Sequence, residues 1–227
     1  MPVSNPCYIG ESPTRYFSGG ITPREVQNNT SELSEFQQAV LVGTLLGDGS
    51  IAKHGHHHRL FIKHKAAHLA LAAWKREIFN DFTSMPLHRF DQRLGDRLYP
   101  CAQFVTRTNP IFSEWRQRFY REGRKVVPGD IEKLLAPVAV AAWFMDDGTA
   151  DRAGVSFQTH SFRRDEVERL AAALRDLYRL ETSLHRNKGA HVVYVHGESV
   201  PALAALVAPA MLPELAYKLV PRGTWTP

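Results

Sequence analysis

Cysteine is almost absent. Cys7 and Cys101 are the only two in 227 residues, which excludes a disulfide-stapled fold and points to a reducing compartment. Long apolar runs are missing too, so a membrane-spanning protein is excluded. The opening Met1-Pro2-Val3-Ser4-Asn5-Pro6 has neither the basic nor the apolar block of a signal peptide. Residence inside a cell is expected, in a bacterial cytoplasm or an organelle. Acidic excess is lacking as well. The net charge is +5 and the isoelectric point is near 9.3, a balance that favours a polyanionic partner. Residues 1–125 hold 17 Lys and Arg against 11 Asp and Glu, while residues 126–227 hold 11 against 12. The first half is therefore expected to grip such a partner harder.

Hydrophobic residues make up 44% of the chain, a globular composition with enough length for one large core or two small ones. Residues 1–30 are rich in Pro, Gly, Ser, Thr and Asn and show no sustained period, so an irregular arm is expected over residues 1–33. Ser34 with Gln37 three residues later reads as a capping box, opening a helix over residues 35–46. A polar loop with His54, His56, His57 and His58 follows. A flexible histidine run without fixed partners is a poor zinc site, and a loop beside phosphates is the plainer reading. Residues 60–63 read as a strand, and residues 66–82 as a helix with Leu71, Trp74 and Ile78 on one face. Residues 87–94 and 98–106 alternate like strands around Gly95-Asp96, a hairpin signal. Pro110 opens a helix with Phe112, Trp115 and Phe119 inward.

The order then recurs. Residues 155–159 are strand-like. Ser161 is placed to cap a helix carrying Val167, Leu170, Ala171, Leu174, Leu177 and Tyr178. Residues 182–187 and 191–196 form a hairpin turning at Lys188-Gly189, and Pro201 opens a last helix. Each half thus reads helix–hairpin–helix–hairpin–helix, a repeated subdomain rather than a solenoid. The halves are taken as residues 34–128 and 129–227.

Two stretches anchor the repeat. Leu41-Val42-Gly43-Thr44-Leu45-Leu46-Gly47-Asp48-Gly49-Ser50 and Val140-Ala141-Ala142-Trp143-Phe144-Met145-Asp146-Asp147-Gly148-Thr149 are apolar runs ending in Asp-Gly and a hydroxyl residue. Gly43 and Gly47 fall on one helical face, with Ala142 offering a similar small surface in the second copy. If the two helices pack together, Asp48 and Asp147 meet where both end. Paired carboxylates repel unless a proton or cation intervenes, and oxygen ligands with open water positions suit Mg²⁺, with Mn²⁺ as a substitute. Asp48 and Asp147 lie 99 residues apart. Lys125-Val126-Val127-Pro128 and Lys218-Leu219-Val220-Pro221 close the halves alike, their lysines 93 residues apart.

These paired stretches resemble the motifs of the LAGLIDADG homing endonucleases, in the single-chain form with both copies. The resemblance runs from about residue 35 to about residue 221. It implies an α+β fold of two pseudo-symmetric αββαββα halves, with antiparallel sheets forming a saddle over double-stranded DNA. It implies site-specific hydrolysis of one phosphodiester per strand, with short 3′ overhangs, by an intron-homing enzyme. Asp48 and Asp147 are then metal ligands, with the carbonyls of Gly47 and Asp146 as added ligands and the Asp146 side chain as a rival. Lys125 and Lys218 match lysines that line the cleavage pocket. His160, placed after the second strand as His64 is after the first, and Gln158 are candidates to hold a water.

A strand pair fits the major groove. The expected base readers on one face of the first hairpin are Arg89, Asp91 and Arg93, with Gln103 and Arg107 on its partner strand. In the second half they are Ser183, His185, Asn187, Tyr194 and His196. A one-residue slip would exchange the faces. Two motifs in one chain supply internal pseudo-twofold symmetry, so a monomer is expected. The rival reading is a maturase, an intron RNA-splicing factor on the same scaffold, against which the retention of both aspartates speaks.

Overall fold

The chain runs twice through one order of elements. The computed structural model describes residues 32–221. The first pass comprises α1 (Glu35–Leu46), the hairpin β1 (Ser50–His54) and β2 (His57–Lys65), α2 (Leu69–Ile78), the hairpin β3 (His88–Leu94) and β4 (Arg97–Val105), and α3 (Pro110–Phe119). A small hairpin follows, β5 (Tyr120–Arg121) and β6 (Arg124–Lys125). The second pass comprises α4 (Pro137–Asp147), β7 (Gly148–Ala150), β8 (Val155–Phe157), α5 (Arg164–Tyr178), β9 (Thr182–Asn187), β10 (Ala190–Val195) and α6 (Val200–Val207). The two four-stranded sheets have the same antiparallel order, β1-β2-β4-β3 and β7-β8-β10-β9. This is the α+β repeat that the sequence implies. The arm expected over residues 1–33 lies outside the described residues, apart from its last two. We propose a division between halves near residue 128, in the stretch after β6.

At the centre α1 packs on α4. Every residue from Val40 to Leu46 is buried, and so is every residue from Ala139 to Asp146. Helices apolar on all sides belong in the interior. Small residues set the approach. A Cβ added to Gly43 would lie 2.2 Å from the Ala139 carbonyl oxygen and 2.7 Å from the Ala142 Cβ. Helix α1 starts as the sequence predicts, with Gln37 N–H donating to Ser34 Oγ at 3.2 Å and Ser34 N–H donating to Gln37 Oε1 at 3.0 Å.

One face of each sheet rests on this core. Leu60, Ile62 and Phe104 supply it in the first half, and Val155, Phe157, Val193 and Val195 in the second. Trp143 of α4 packs on Phe157 with ring centroids 4.1 Å apart. The opposite face of each sheet is open.

Local readings differ from the structure at several places. The histidine run is not a loop but the tip of the β1–β2 hairpin, with His54 opposite His57 and Lys53 opposite His58. Only two residues separate these strands, and Gly55 at φ +64° makes the turn. Strand β7 escaped notice because three residues are too few to show a period. The cap of α5 is not Ser161. Arg163 precedes the helix, and Glu166 Oε2 accepts its N–H at 2.7 Å.

Candidate active site

The chain leaves α1 at Gly47, and Asp48 follows at the helix end. Asp147 is the last residue of α4. Because α1 and α4 touch along their small residues, these ends come together. A Cβ on Gly47 would sit 2.5 Å from the Asp146 carboxylate. Asp48 N–H donates to Asp146 Oδ2 at 3.2 Å, across the boundary between halves.

The two lysines arrive by different local structures. Lys125 ends β6, set by a tight turn with Glu122 at φ +51° and Gly123 at φ +80°. Its Nζ donates to the Gly47 carbonyl at 2.6 Å. Lys218 lies on the 3-10 segment Pro213–Leu219. Its Nζ donates to the Met145 carbonyl at 2.6 Å and the Asp146 carbonyl at 3.0 Å. Gly47 and Asp146 hold the same place in the two motifs, one residue before Asp48 and Asp147. Each lysine therefore caps the carbonyl that precedes its own half's aspartate. The carbonyls expected as added metal ligands each accept from an ammonium group.

Asp146 also has a partner that the sequence did not announce. Lys75 Nζ donates to Asp146 Oδ1 at 2.6 Å and Oδ2 at 2.7 Å, and both side chains are fully buried. With the Asp48 N–H added, this carboxylate is an internal counter-ion rather than an open ligand. The signal for Lys75 lay in helical spacing, since it stands four residues after Leu71 in the apolar stripe of α2. His64 completes the group. It is 3% exposed, with Nδ1 at 3.4 Å from Asp48 Oδ2 and Nε2 at 3.7 Å from Asp146 Oδ1. Neither ring nitrogen has a hydrogen-bond partner. Its signal was the alternation Leu60, Ile62, His64 on the buried face of β2.

The charges are strongly coupled. Burial, then the Asp48 and Asp146 carboxylates, pushes the Asp147 carboxyl up to about 8, against Lys125 and Lys218. Burial also works upward on Asp48, but contact with His64 and the charges of Lys75 and Lys125 outweigh it and hold Asp48 below the usual carboxylate range. Burial pushes the Lys125 ammonium down to about 8 against the pull of Asp147, Asp146 and Asp48, and it lowers Lys218 likewise. Carboxylates so placed repel, and a divalent cation between Asp48 and Asp147 relieves that repulsion. Asp48 is open to solvent, with its side chain 49% exposed. The donor set fits a hard, oxygen-seeking ion at these two aspartates. The Asp146 side chain does not fit as a ligand, because Lys75 already holds both of its oxygens. Among the described residues, Asp48, His64 and Asp146 form the one group of three metal-capable side chains, with donor atoms within 4.8 Å of one another. The His54–His58 run forms no such group. His54 Nδ1 lies 3.0 Å from Thr108 Oγ1 and His58 Nδ1 lies 2.9 Å from Ser113 Oγ.

The LAGLIDADG DNA endonuclease family model matches residues 38–203. The chain belongs to that family. A protein named cytochrome b mRNA maturase bI2, from Debaryomyces hansenii, is 27% identical over 203 residues, covering 86% of this chain and 78% of its own length. A protein named probable intron-encoded endonuclease 1, from Wickerhamomyces canadensis, is 23% identical over 207 residues, covering 87% of this chain and 89% of its own. The solved homing endonuclease I-WcaI, bound to its DNA recognition sequence, superposes with a TM-score of 0.78 at 22% identity, covering 89% of this chain and 96% of its own. The LAGLIDADG fold, with two sheets forming a saddle, is thereby shown. No helix of the described residues is long and apolar enough to cross a membrane.

On this LAGLIDADG scaffold the register decides which side chains share a face. In the second half, Tyr194 pairs with Ser183 and Ser156, Val192 with His185, and Ala190 with Asn187, so Ser183, His185, Asn187 and Tyr194 share the open face. His196 joins them, with Nε2 at 3.0 Å from Ser183 Oγ. The first half needs correction. His88 pairs with Gln103, while Arg89 pairs with Ala102 and Arg93 with Leu98. Gln103 therefore lies on the open face with His88, Gln92 and Lys63, and Arg89, Asp91 and Arg93 lie on the opposite, helix-side face. They remain exposed. Arg107 stands beyond β4, with its guanidinium anchored to the Asp81 carbonyl. His160 is not the counterpart of His64. Ser50 pairs with Phe61 and Gly148 with Phe157, so Lys63 falls opposite Asp48 and Gln158 opposite Asp147. The residue matching His64 is Thr159, and His160 is exposed. Gln158 Nε2 donates to Ser156 Oγ and its Oε1 accepts from Asn187, both at 3.0 Å.

Proposed function

We propose that this protein is a monomeric, site-specific homing endonuclease that hydrolyses one phosphodiester on each strand of a long duplex target. Mg²⁺ is its cofactor and Mn²⁺ a substitute. The observation that carries this reading is the convergence of Asp48 and Asp147, one from each half, with Lys125 and Lys218 on the carbonyls just before them. A divalent ion held by these aspartates would supply Lewis acidity and an activated water. An ammonium has three donors. Lys125 uses one on Gly47, and Lys218 uses two on Met145 and Asp146. The remaining N–H groups offer positive charge where phosphate charge accumulates during cleavage. The open sheet faces offer Lys63, His88, Gln92 and Gln103 in one half, and His185, Asn187, Tyr194 and His196 in the other, to base edges and phosphates.

The test is selection of cut ends from a library of random duplex targets, incubated with protein and Mg²⁺. A single enriched long sequence is expected, with no cutting in EDTA. The second reading is favoured by the similarity to proteins named as mRNA maturases. It predicts tight intron RNA binding while every duplex stays intact.

A further inference from the structure

The two aspartates are not held alike. Three buried groups converge on Asp48. Asp146 Oδ2 accepts its N–H at 3.2 Å, Lys75 fixes that carboxylate by both oxygens, and His64 lies 3.4 Å from the Asp48 carboxylate. None of the three has a like counterpart at Asp147. Gly47 stands where Asp146 would be. Thr159 stands where His64 would be, and its hydroxyl donates to the His191 carbonyl. The buried positions of α5 are Val167, Leu170, Ala171, Ala173 and Leu174, with Glu166 paired to Arg124, so that helix offers no buried lysine.

We infer that Lys75 and Asp146 are positioning residues that lock Asp48 across the boundary between halves, so that cleavage of the strand on the Asp48 side depends on this clamp and cleavage of the other strand does not. The backbone N–H of Asp48 is the point of control. It follows the last turn of α1, where no helical carbonyl is placed to receive it, and a carboxylate from the opposite half is its acceptor. The paired ammonium, on both oxygens, stops that carboxylate from rotating away. Because Asp146 comes from the second half, the first half's aspartate is set only when α1 and α4 are docked.

The inference rests on the endonuclease reading for its strand assignment, and the experiment separates the two. The paired variants K75M/D146N and K75M/D146A remove both buried charges together, so neither leaves an unpaired ion in the core. They differ in one respect: asparagine keeps a side-chain oxygen for the Asp48 N–H and alanine does not. The expected result for K75M/D146A is accumulation of nicked plasmid, with one strand slowed about tenfold or more relative to the other. The slowed strand is the one also slowed in Lys125→Met, whose ammonium sits on Gly47, and not the one slowed in Lys218→Met. K75M/D146N restores the strand ratio to within about twofold. Equal slowing of both strands, or equal behaviour of the two variants, overturns the inference. Mn²⁺ titration by electron paramagnetic resonance without DNA is the second readout. Affinity falls in K75M/D146A and recovers in K75M/D146N if the clamp places Asp48. If the parent binds Mn²⁺ and cuts no duplex, the endonuclease reading fails and the clamp is still judged by that titration.

Discussion

Asp48 follows its helix and is gripped from three sides, whereas Asp147 ends its helix among like charges with only lysines to offset them. The first arrangement holds a carboxyl below its ordinary range, and the second pushes one up to about 8. The same fold repeated twice therefore presents one charged aspartate that is ready for a cation and one that needs a cation to stay charged at neutral pH. Symmetry of the backbone does not carry over to symmetry of the electrostatics, because one substitution, Gly47 against Asp146, sends a carboxylate across the boundary in one direction only.

The sharpest way to break this comparison is to neutralise each acid. Asp48→Asn and Asp147→Asn are each expected to lower the rate of duplex cleavage by about 10³-fold, measured under single-turnover conditions in Mg²⁺. The loss is expected to be alike in both, since a duplex is severed only when both strands are cut. One variant retaining cleavage within tenfold of the parent would remove its aspartate from the site.

A second comparison sets the two motif helices against each other. Gly43 and Ala142 occupy the same motif position. A methyl group on Gly43 has no room, since its Cβ would lie 2.2 Å from a backbone oxygen. Gly43→Ala is expected to destabilise by about 3 kcal/mol, at the upper end for overpacking, lowering the melting temperature by about 6–12 °C in a domain of this size. Ala142→Gly deletes a single methyl and weakens a helix interior, with an expected cost of about 1 kcal/mol. Equal melting temperatures would show that α1 and α4 do not depend on this approach.

The third comparison uses pH. A carboxyl raised from 3.8 to about 8 is protonated in the folded protein and charged in the unfolded one over that interval. The native state binds more protons there, so this group removes stability as pH rises from about 4 to about 8, and no further above it. Asp48 has the opposite sign: its lowered value adds stability above the unfolded range, which is lost as pH falls through the folded value. Without metal at pH 8, Asp147→Asn is therefore expected to stabilise the protein by about 2 kcal/mol after allowing for partial exposure, and Asp48→Asn to bring no gain. Metal binding must displace the Asp147 proton, so Mn²⁺ affinity is expected to rise up to about tenfold per pH unit below about 8 and then level off. Calorimetry in buffers of different ionisation enthalpy counts the released proton.

The repeat, the helices and the long hairpins were legible because their periods are long and their turns carry Gly or Pro. So were Asp48, Asp147, Lys125 and Lys218, since each recurs at the same place in a repeated half. What the sequence concealed is what does not recur. Lys75 shows only its place in the apolar stripe of α2 until the fold brings Asp146 opposite it, and Asp146 reads as a rival ligand until Lys75 is seen on both its oxygens. The face of the first hairpin was misassigned for a related reason. Arg89, Asp91 and Arg93 alternate as open-face residues should, but β3 extends where its helix-side face is also exposed, so exposure and facing part company.

That misassignment gives the smallest and most discriminating test. On the open face of β9 and β10 the side chains support one another. His185 stacks on Tyr194 with ring centroids 4.2 Å apart and planes 11° from parallel, and Asn187 donates to Gln158 at 3.0 Å. On the first sheet's open face, Lys63 donates to Gln92 at 3.1 Å, and His88 stacks on Phe90 with ring centroids 5.6 Å apart. A reader ordered before binding loses less entropy on docking, so it discriminates more per contact. Asn187→Ala is expected to relax base preference at one position by about 1–2 kcal/mol, read from competition binding in Ca²⁺ with single-base target variants. Lys63→Gln is expected to weaken all targets alike and to lower the salt slope by about one. Arg93→Ala, on the helix-side face, is expected to leave base preference unchanged and to alter affinity by less than about 0.5 kcal/mol. If Arg93→Ala relaxed base preference more than Asn187→Ala, the DNA would lie against the wrong side of the first hairpin, and the two halves could not share one saddle face.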